Sequence, residues 1–405
     1  MKRDKWVVAK WTAALALVVW AGLAFPAPAR AEIKLLARGA IPANATDKSG
    51  LTGTLEDGTP HNRLGSCGSA IAYTGKGNRY VLLADRGPKD GTTSYQCRFH
   101  LFDITVDSGK AALKLSLVDT KILKDESGRP FIGLSSAIDA AKPALSLRLD
   151  PEGVRLGRSG TLFVSDEYGP FVYEFSREGR RLRSLPVPAR FQLDRPDADP
   201  KKELTLNKKG RVPNKGMEGL AINPEGTKLY AAMQSPLIQD GGRKGKNCRI
   251  LEIDIKSGNT RELLYPLESS NTALSEILAI NDHEFLVIER TGESKKPVTK
   301  IVKIDITKAS DISKLDRLPA EGIPKGVVPV AKSLFIDMRD QRWGLAGPLF
   351  PVKIEGLAFG PDLPGGRHLL LVTSDNDVGD APTHFFAFAI DSDDLPGFQP
   401  QLFGR

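Results

Sequence analysis

The chain has 405 residues, with 57 Lys and Arg against 49 Asp and Glu, a formal charge of +8, and 39 glycines and 28 prolines. Apolar residues make up 40% of it, enough for a globular core, and nothing beyond the first 31 residues is apolar enough to span a bilayer. The basic excess is mild and its clusters lack interleaved aromatics, so nucleic acid is not an expected partner.

Lys2, Arg3 and Lys5 precede an almost wholly apolar run from Trp11 to Phe25. "APARA" follows, with Ala29 and Ala31 as the small residues before a cut ahead of Glu32. This pattern predicts a secretory signal over 1–31 and a periplasmic or secreted mature chain; an uncleaved N-terminal anchor is the alternative. Cleavage removes five basic residues and Asp4, which leaves a charge of about +4. Export permits a disulfide. Among Cys67, Cys97 and Cys248 one pair at most can form. We expect Cys67 with Cys97, which begin the first and third strands of one unit, with Cys248 left over; three reduced, buried cysteines are the alternative.

The mature chain opens with a strand, "EIKLLARGAI" (32–41). Unit one follows: "CGSAIAY" (67–73), "YVLLAD" (80–85), "CRFHLFDI" (97–104) and "LSLVDTKIL" (115–123). Unit two reads "EGVRL" (152–156), "TLFVSD" (161–166), "PFVYEFS" (170–176) and "RRLRSLPV" (180–187). Unit three reads "EGLAI" (218–222), "LYAAMQ" (229–234), "CRILEIDI" (248–255) and "TRELLYPL" (260–267). Unit four reads "EILAI" (276–280), "EFLVIE" (284–289), "TKIVKIDI" (299–306) and "VAKSLFI" (330–336). Unit five has only three strands, "EGLAF" (355–359), "HLLLVTSD" (368–375) and "HFFAFAI" (384–390). The runs are short, β-branched or aromatic, and bounded by turn residues.

Four-stranded units at regular intervals predict an all-β fold, a β-propeller of about five blades within one domain over 32–405. The N-terminal strand would supply the fourth strand of the last blade and close the ring. Six blades, one hidden in an insertion at 124–149, 188–215 or 307–328, is the alternative.

In a hairpin, the start of the first strand and the end of the second share an edge. First strands line the channel of a propeller, so these residues would converge at one mouth. One ring would hold Glu152, Glu218, Glu276 and Glu355, with Cys67 in the slot of unit one. A second would hold Asp85 with Arg86, Asp166 with Glu167, Gln234, Glu289 with Arg290, and Asp375, Asn376 and Asp377. So many acids would raise one another's pKa values or require a cation, and oxygen donors suit Ca²⁺ or Mg²⁺. We expect Glu152, Glu218, Glu276, Glu355, Asp375, Asn376 and Asp85 to hold Ca²⁺. Asp166, Glu167 and Glu289 would be the catalytic acids, with Glu167 or Glu289 acting on water. Arg86 and Arg290 would grip an anionic substrate, with Tyr168 at the rim. Each of these residues has a purely structural alternative: a strand-start Glu tying blade to blade, a turn-forming Asp, a surface ion pair. No Gly-x-Ser-x-Gly elbow with a plausible triad occurs, and no His/Cys set has zinc spacing.

The ordered segments "DPEGVRLGRSGTLFVSDEYGPFVYEFSREGR", "NKGMEGLAINPEGTKLYAAMQS", "SEILAINDHEFLVIERT" and "IEGLAFGPD…LLLVTSDND" resemble the phytase-like family, also called the esterase-like activity of phytase family. The resemblance covers nearly the whole mature chain. It implies an exported bacterial protein with a propeller-like fold and a phosphoesterase or esterase activity. Glu152, Asp166, Glu167, Glu218, Glu289, Arg290, Glu355, Asp375 and Asn376 fall on the shared motif positions. The chain departs at Gln234 and at Cys67. The Arg-His-Gly-x-Arg-x-Pro motif of histidine acid phosphatases is absent, so phytase-like action would be metal-assisted. We therefore expect a monomeric exported hydrolase of a small anionic ester; a non-catalytic propeller that binds a ligand or a cell-envelope partner is the alternative.

Overall fold

The computed structural model of the protein describes residues 33–139, 141–142, 145–292, 294–295 and 297–404. The expected signal segment, 1–31, lies outside them. Strand β1 (Lys34–Ile41) is followed by β2 (Ala70–Tyr73), β3 (Arg79–Leu83), β4 (Arg98–Asp107) and β5 (Ala112–Ile122). Next come β6 (Pro151–Leu156), β7 (Leu162–Asp166), β8 (Phe171–Phe175) and β9 (Arg181–Ser184). The helix α1 (Pro200–Leu206) precedes β10 (Met217–Ile222), β11 (Lys228–Met233), β12 (Asn247–Asp254) and β13 (Thr260–Pro266). The last strands are β14 (Thr272–Ala279), β15 (Glu284–Thr291), β16 (Thr299–Asp305), β17 (Ala331–Asp337), β18 (Ile354–Phe359), β19 (His368–Ser374) and β20 (Thr383–Ile390).

These strands form an all-β architecture. Three sheets are four-stranded antiparallel meanders, β6 to β9, β10 to β13 and β14 to β17. The fourth sheet has eight strands in the order β18-β19-β20-β1-β5-β4-β3-β2. It is two four-stranded units joined edge to edge. β1 pairs antiparallel with β20 from Lys34–Ala389 to Ile41–Thr383, but meets β5 at a single parallel pair, Arg38–Ala112. The last unit thus takes its fourth strand from the other end of the chain.

The strands read as continuous apolar runs because both faces are buried. β10 is buried at every position, and β15 at every position after Glu284. Tyr230 and Ile250 of unit three pack against Phe285 and Val287 of unit four. Leu286 and Ile288 pack against Leu370 and Phe386 of unit five. Leu371 and Phe385 pack against Leu82 and Phe102 of unit one. Leu83 and Phe99 pack against Val164 and Tyr173, and Phe163 and Val172 against Leu220 and Leu229. The first strands pack in the same succession: β2 on β6, β6 on β10, β10 on β14, β14 on β18, and β18 on β2. That approach is close enough to require glycine. A Cβ on Gly219 would sit 2.7 Å from the Cα of Glu276.

The expected disulfide is not formed: Cys67, Cys97 and Cys248 are all free and buried. Cys67 packs with Ile71 and Leu371, whereas Cys97 packs with Val164 and Tyr173. The two thiols lie in different cores, with β3 between their strands.

Two features frame the ends of the first strands. At one end, the insertion carrying α1 is tied to the turn after β7: Arg211 donates to the Tyr168 carbonyl (2.5 Å) and pairs with Glu203 (2.8 Å). At the other, the C-terminal tail crosses the strand ends. Gln399 donates to the Ile280 carbonyl (2.9 Å), Leu402 to Pro224 (2.8 Å) and Gly404 to Arg158 (2.8 Å). Among the described residues, no helix is long and apolar enough to cross a membrane.

Candidate functional site

Three first strands carry a bulge at their Glu-Gly pair. In β10, Met217 pairs with Met233 and Gly219 with Ala232, which leaves Glu218 as the extra residue. In β18, Ile354 pairs with Ser374 and Gly356 with Thr373, so Glu355 is the extra one. The shift in β6 lies between Pro151 and Val154 and holds Glu152. A bulge re-aims its residue out of the ladder. The Glu-Gly pair therefore has two jobs: the bulge frees the glutamate, and the glycine admits the neighbouring strand.

Unit four has the same bulge one residue earlier. Leu274 pairs with Glu289 and Glu276 with Ile288, so the extra residue is Ser275. Glu276 consequently leaves the expected ring and takes the place that glycine holds in units three and five. Its carboxylate accepts from the Leu220 and Ile277 amides (3.2 and 2.9 Å) and pairs with Arg155 (2.9 Å). Glu289 also departs. It lies on the opposite strand face from Arg290, fully buried, and binds the Tyr265 hydroxyl and the Lys332 ammonium. Neither acid is at the mouth, because side chains alternate faces along a strand.

The acids that do meet form two groups. Asp150, Glu152 and Glu167 each offer an oxygen within 4.8 Å of the others, and so do Asp85, Asp375 and Asp377. Arg86 borders the first group. It ion-pairs with Asp150, lies 3.6 Å from Glu167, reaches Asp90 (2.9 Å) and donates to Asn214. Tyr168 supports it from below the rim: its ring stacks under Arg86 and Arg148, and its hydroxyl donates to the Gly133 carbonyl (2.9 Å). Lys353 borders the second group, bonded to Asp377 and 3.6 Å from Asp375. Arg290 joins Glu355 to Glu218, at 3.7 Å from the latter, and Gln234 donates its amide to Glu218.

Two expected ligands or catalysts serve the backbone instead. Asp166 accepts from the Asp150, Tyr168 and Gly169 amides (3.0, 3.1 and 3.0 Å). Asn376 accepts from the Ser66 amide (2.8 Å) and donates to the Ala381 carbonyl (2.7 Å). The next residues, Asp377 and Val378, have φ of 51° and 55°. Left-handed backbone at a β-branched residue is strained, and such strain gathers at functional sites.

Burial pushes Glu152, Glu218 and Asp85 well above the usual carboxylate range, and their acidic neighbours push further: Glu218 acts on Glu152, Glu167 on Glu218, and Asp375 on Asp85. Asp150 is raised to about 7, by burial against the pull of Arg86. Asp377 is raised to about 6, by burial and by Asp375. Lys215 stands beside Glu167 and Glu218, and burial lowers its pKa. Asp150 and Lys353 were not expected at the site. The signal was present: each lies within three residues of a bulged glutamate.

The donor set fits a hard divalent cation. Glu167 Oε1, Glu218 Oε2 and Gln234 Oε1 are buried without a hydrogen-bond partner. Oxygens held about 2.3–2.6 Å from one Ca²⁺ lie within roughly 5 Å of one another, as each acid triad does.

A family model described as phytase-like, esterase-like activity of phytase, matches residues 63–378. The chain belongs to the phytase-like family. Every mouth acid from Asp85 to Asp377 falls inside the matched stretch of this phytase-like chain. An uncharacterized secreted protein of Arthroderma benhamiae is 31% identical over 290 residues, which is 56% of this chain and 53% of the relative. The chain thus spans about half the length of that curated relative. Among solved structures, the calcium-binding protein regucalcin of Agrobacterium tumefaciens is 10% identical, with a TM-score of 0.38 over 84% of this chain and 94% of its own. A gluconolactonase of Xanthomonas campestris is 12% identical, with a TM-score of 0.36 over 88% and 90% of the two chains. Likenesses so distant carry no statement about this chain's chemistry.

Proposed function

We propose that this phytase-like chain is an exported hydrolase of a small anionic ester, phosphoric or carboxylic, and that Ca²⁺ assists it at the mouth of a five-bladed β-propeller. The succession of first-strand contacts, which returns from β18 to β2, and the pairing of β1 with β20 support the five-bladed reading. The signal pattern at 1–31 and the relative named as secreted support export.

One observation carries the chemistry: three buried oxygens, on Glu167, Glu218 and Gln234, lack partners beside two acid triads. Asp150, Glu152, Glu167 and Glu218 would hold one cation, and Asp85, Asp375 and Asp377 flank them. When bound, the cation neutralises substrate oxygens and polarises the attacked centre. Glu167, with one oxygen lacking a partner, orients water or takes its proton. Arg86 and Arg290 are already ion-paired, so they act as fixed counter-charges that pack the acids together. Lys215, for which no ion pair is found among the described residues, is the cation left to meet a substrate anion. Asp166 and Tyr168 position Asp150 and Arg86.

The ion pairs of both arginines equally suit a non-catalytic propeller that binds a ligand or a cell-envelope partner. Hydrolysis of p-nitrophenyl phosphate and p-nitrophenyl acetate by purified mature chain, with EDTA and after Ca²⁺ return, separates the readings. Turnover lost to EDTA and restored by Ca²⁺ supports the hydrolase. No turnover of either ester, with Ca²⁺ present, sinks it.

A further inference from the structure

At the far end of the strands, away from the acids, units one and two leave a cleft of about 610 Å³ between them, a size usual for small-molecule sites. The turn from β2 to β3 and the turn from β6 to β7 line it, and so does Gly404 of the C-terminal tail, which donates to the Arg158 carbonyl (2.8 Å). Its apolar lining includes Phe99, Leu101 and Leu156; Leu101 is only half-buried, so hydrocarbon surface is open to a ligand. Five charged side chains also line it, four cations and one acid. The acid, Asp103, takes both arms of the Arg79 fork (2.6 and 3.0 Å). That leaves Lys76, Arg158 and Arg177, all exposed. Arg158 lies 3.8 Å from Glu225, and both side chains are more than half exposed, so that pair is worth little. Lys76 and Arg177 have no ion pair among the described residues.

Arg177 is also fixed in place. Its Nε and Nη2 donate to the Gly160 and Ser159 carbonyls (3.1 and 2.9 Å). The guanidinium lies so close on Gly160 that a Cβ there would come within 2.0 Å of Nη2. Two backbone carbonyls thus set its orientation, and neither neutralises its charge. A planar fork held this way has less freedom left to lose when it meets an anion. We propose that the cleft binds a small amphipathic anion, with a hydrocarbon body on Leu101 and Leu156 and an oxyanion head on Arg177, flanked by Lys76 and Arg158. An uncharged molecule would leave the three cations without a counter-charge, and an anion with no apolar body would leave the lining in water. This site stands apart from the acid mouth and does not depend on the hydrolase reading.

The test uses the whole mature chain near neutral pH, in EDTA, and four probes: octanoate, octanol, octylammonium and butanoate. Calorimetry reads affinity and stoichiometry. Octanoate should bind once per chain and about tenfold tighter than octanol, the gap of one charge-assisted hydrogen bond, and octylammonium should bind more weakly than either. Butanoate, with half the chain, should bind at least about tenfold more weakly than octanoate. Arg177→Met should lower octanoate to the affinity of octanol. Lys76→Glu combined with Arg158→Glu, both on exposed side chains, should place octylammonium ahead of octanoate while circular dichroism stays unchanged. Octanol or butanoate binding as tightly as octanoate, octylammonium binding more tightly than octanoate to the unaltered chain, octanoate affinity indifferent to either variant, or no saturable binding at all would overturn the proposal.

Discussion

At the mouth, Glu152, Glu218 and Glu355 stand on bulges, and each interrupts its ladder beside like charges. At the far end the same strands run in regular register, and the C-terminal tail adds hydrogen bonds to the carbonyls beyond them. One end concentrates buried acids whose pKa values are raised. The other gathers apolar rings around the Arg155–Glu276 ion pair. The contrast shows how one hairpin repeat keeps its reactive groups and its stabilising contacts apart: irregular backbone frees side chains, and regular backbone takes the load. Natural sites commonly carry strain that the rest of the fold offsets.

The sharpest way to break this contrast is Glu218→Gln. Ester hydrolysis should fall at least about 10–100-fold, the loss typical of removing even a residue that only supports a metal ligand. The gain in Tm on adding Ca²⁺ should shrink with it; for the unaltered chain that gain corresponds to about 2.7 kcal/mol at a hundredfold excess over Kd. Unchanged rates and an unchanged Ca²⁺ response would remove the mouth from the chemistry. Second, Arg290→Met leaves Glu218 and Glu355 without their counter-charge. We expect a loss of about 3–5 kcal/mol in chelator, seen in urea unfolding, and partial recovery in Ca²⁺. A loss that Ca²⁺ does not repair would mean no cation reaches those acids.

Third, Phe403→Ala should lower stability by about 1–2 kcal/mol, less than a fully buried phenylalanine would, and shift Tm by a few degrees. Hydrolysis at saturating substrate should stay the same, and a fall in kcat would tie the two ends together. The smallest effect is on pH. Glu276 and Asp150 are raised to about 7 and Asp166 to about 6, chiefly by burial. The folded chain keeps these protons after the unfolded chain has lost them. Stability in chelator should therefore fall as pH rises from about 5 to 7. His100, lowered to about 3 by burial, opposes this below its ordinary range, but it is one group against several. A Tm that climbs steadily from pH 5 to 7 would contradict the buried-acid picture.

The strand rhythm was legible because both-face burial demands apolar runs, and turns demand Gly, Asn and Asp. So was the N-terminal strand as partner of the last unit, since "HFFAFAI" had no fourth strand after it. Glu218 and Glu355 were legible because glycine follows each. Glu276 was not. "EILAI" looks like "EGLAI", but a one-residue change in the bulge exchanges Ser275 for Glu276 and turns the carboxylate toward Arg155. Glu289 and Arg290 were read as a pair, yet adjacent strand residues face opposite ways, and only Arg290 reaches the acids. Asp150 went unmarked because its partner, Arg86, lies 64 residues away. Cysteine pairing failed for a similar reason: shared sheet membership does not decide which face a thiol occupies.

β1 joins β20, so the first strand of the described chain finds its partner among the last. No prefix of the polypeptide can complete that sheet. During synthesis, β1 must wait with an unpaired edge until β20 has emerged. The entropy of closing so long a loop then falls on the final step. A circular permutant that begins at β2 and attaches β1 behind β20 would make that pairing local and should refold faster, without a change in the finished architecture.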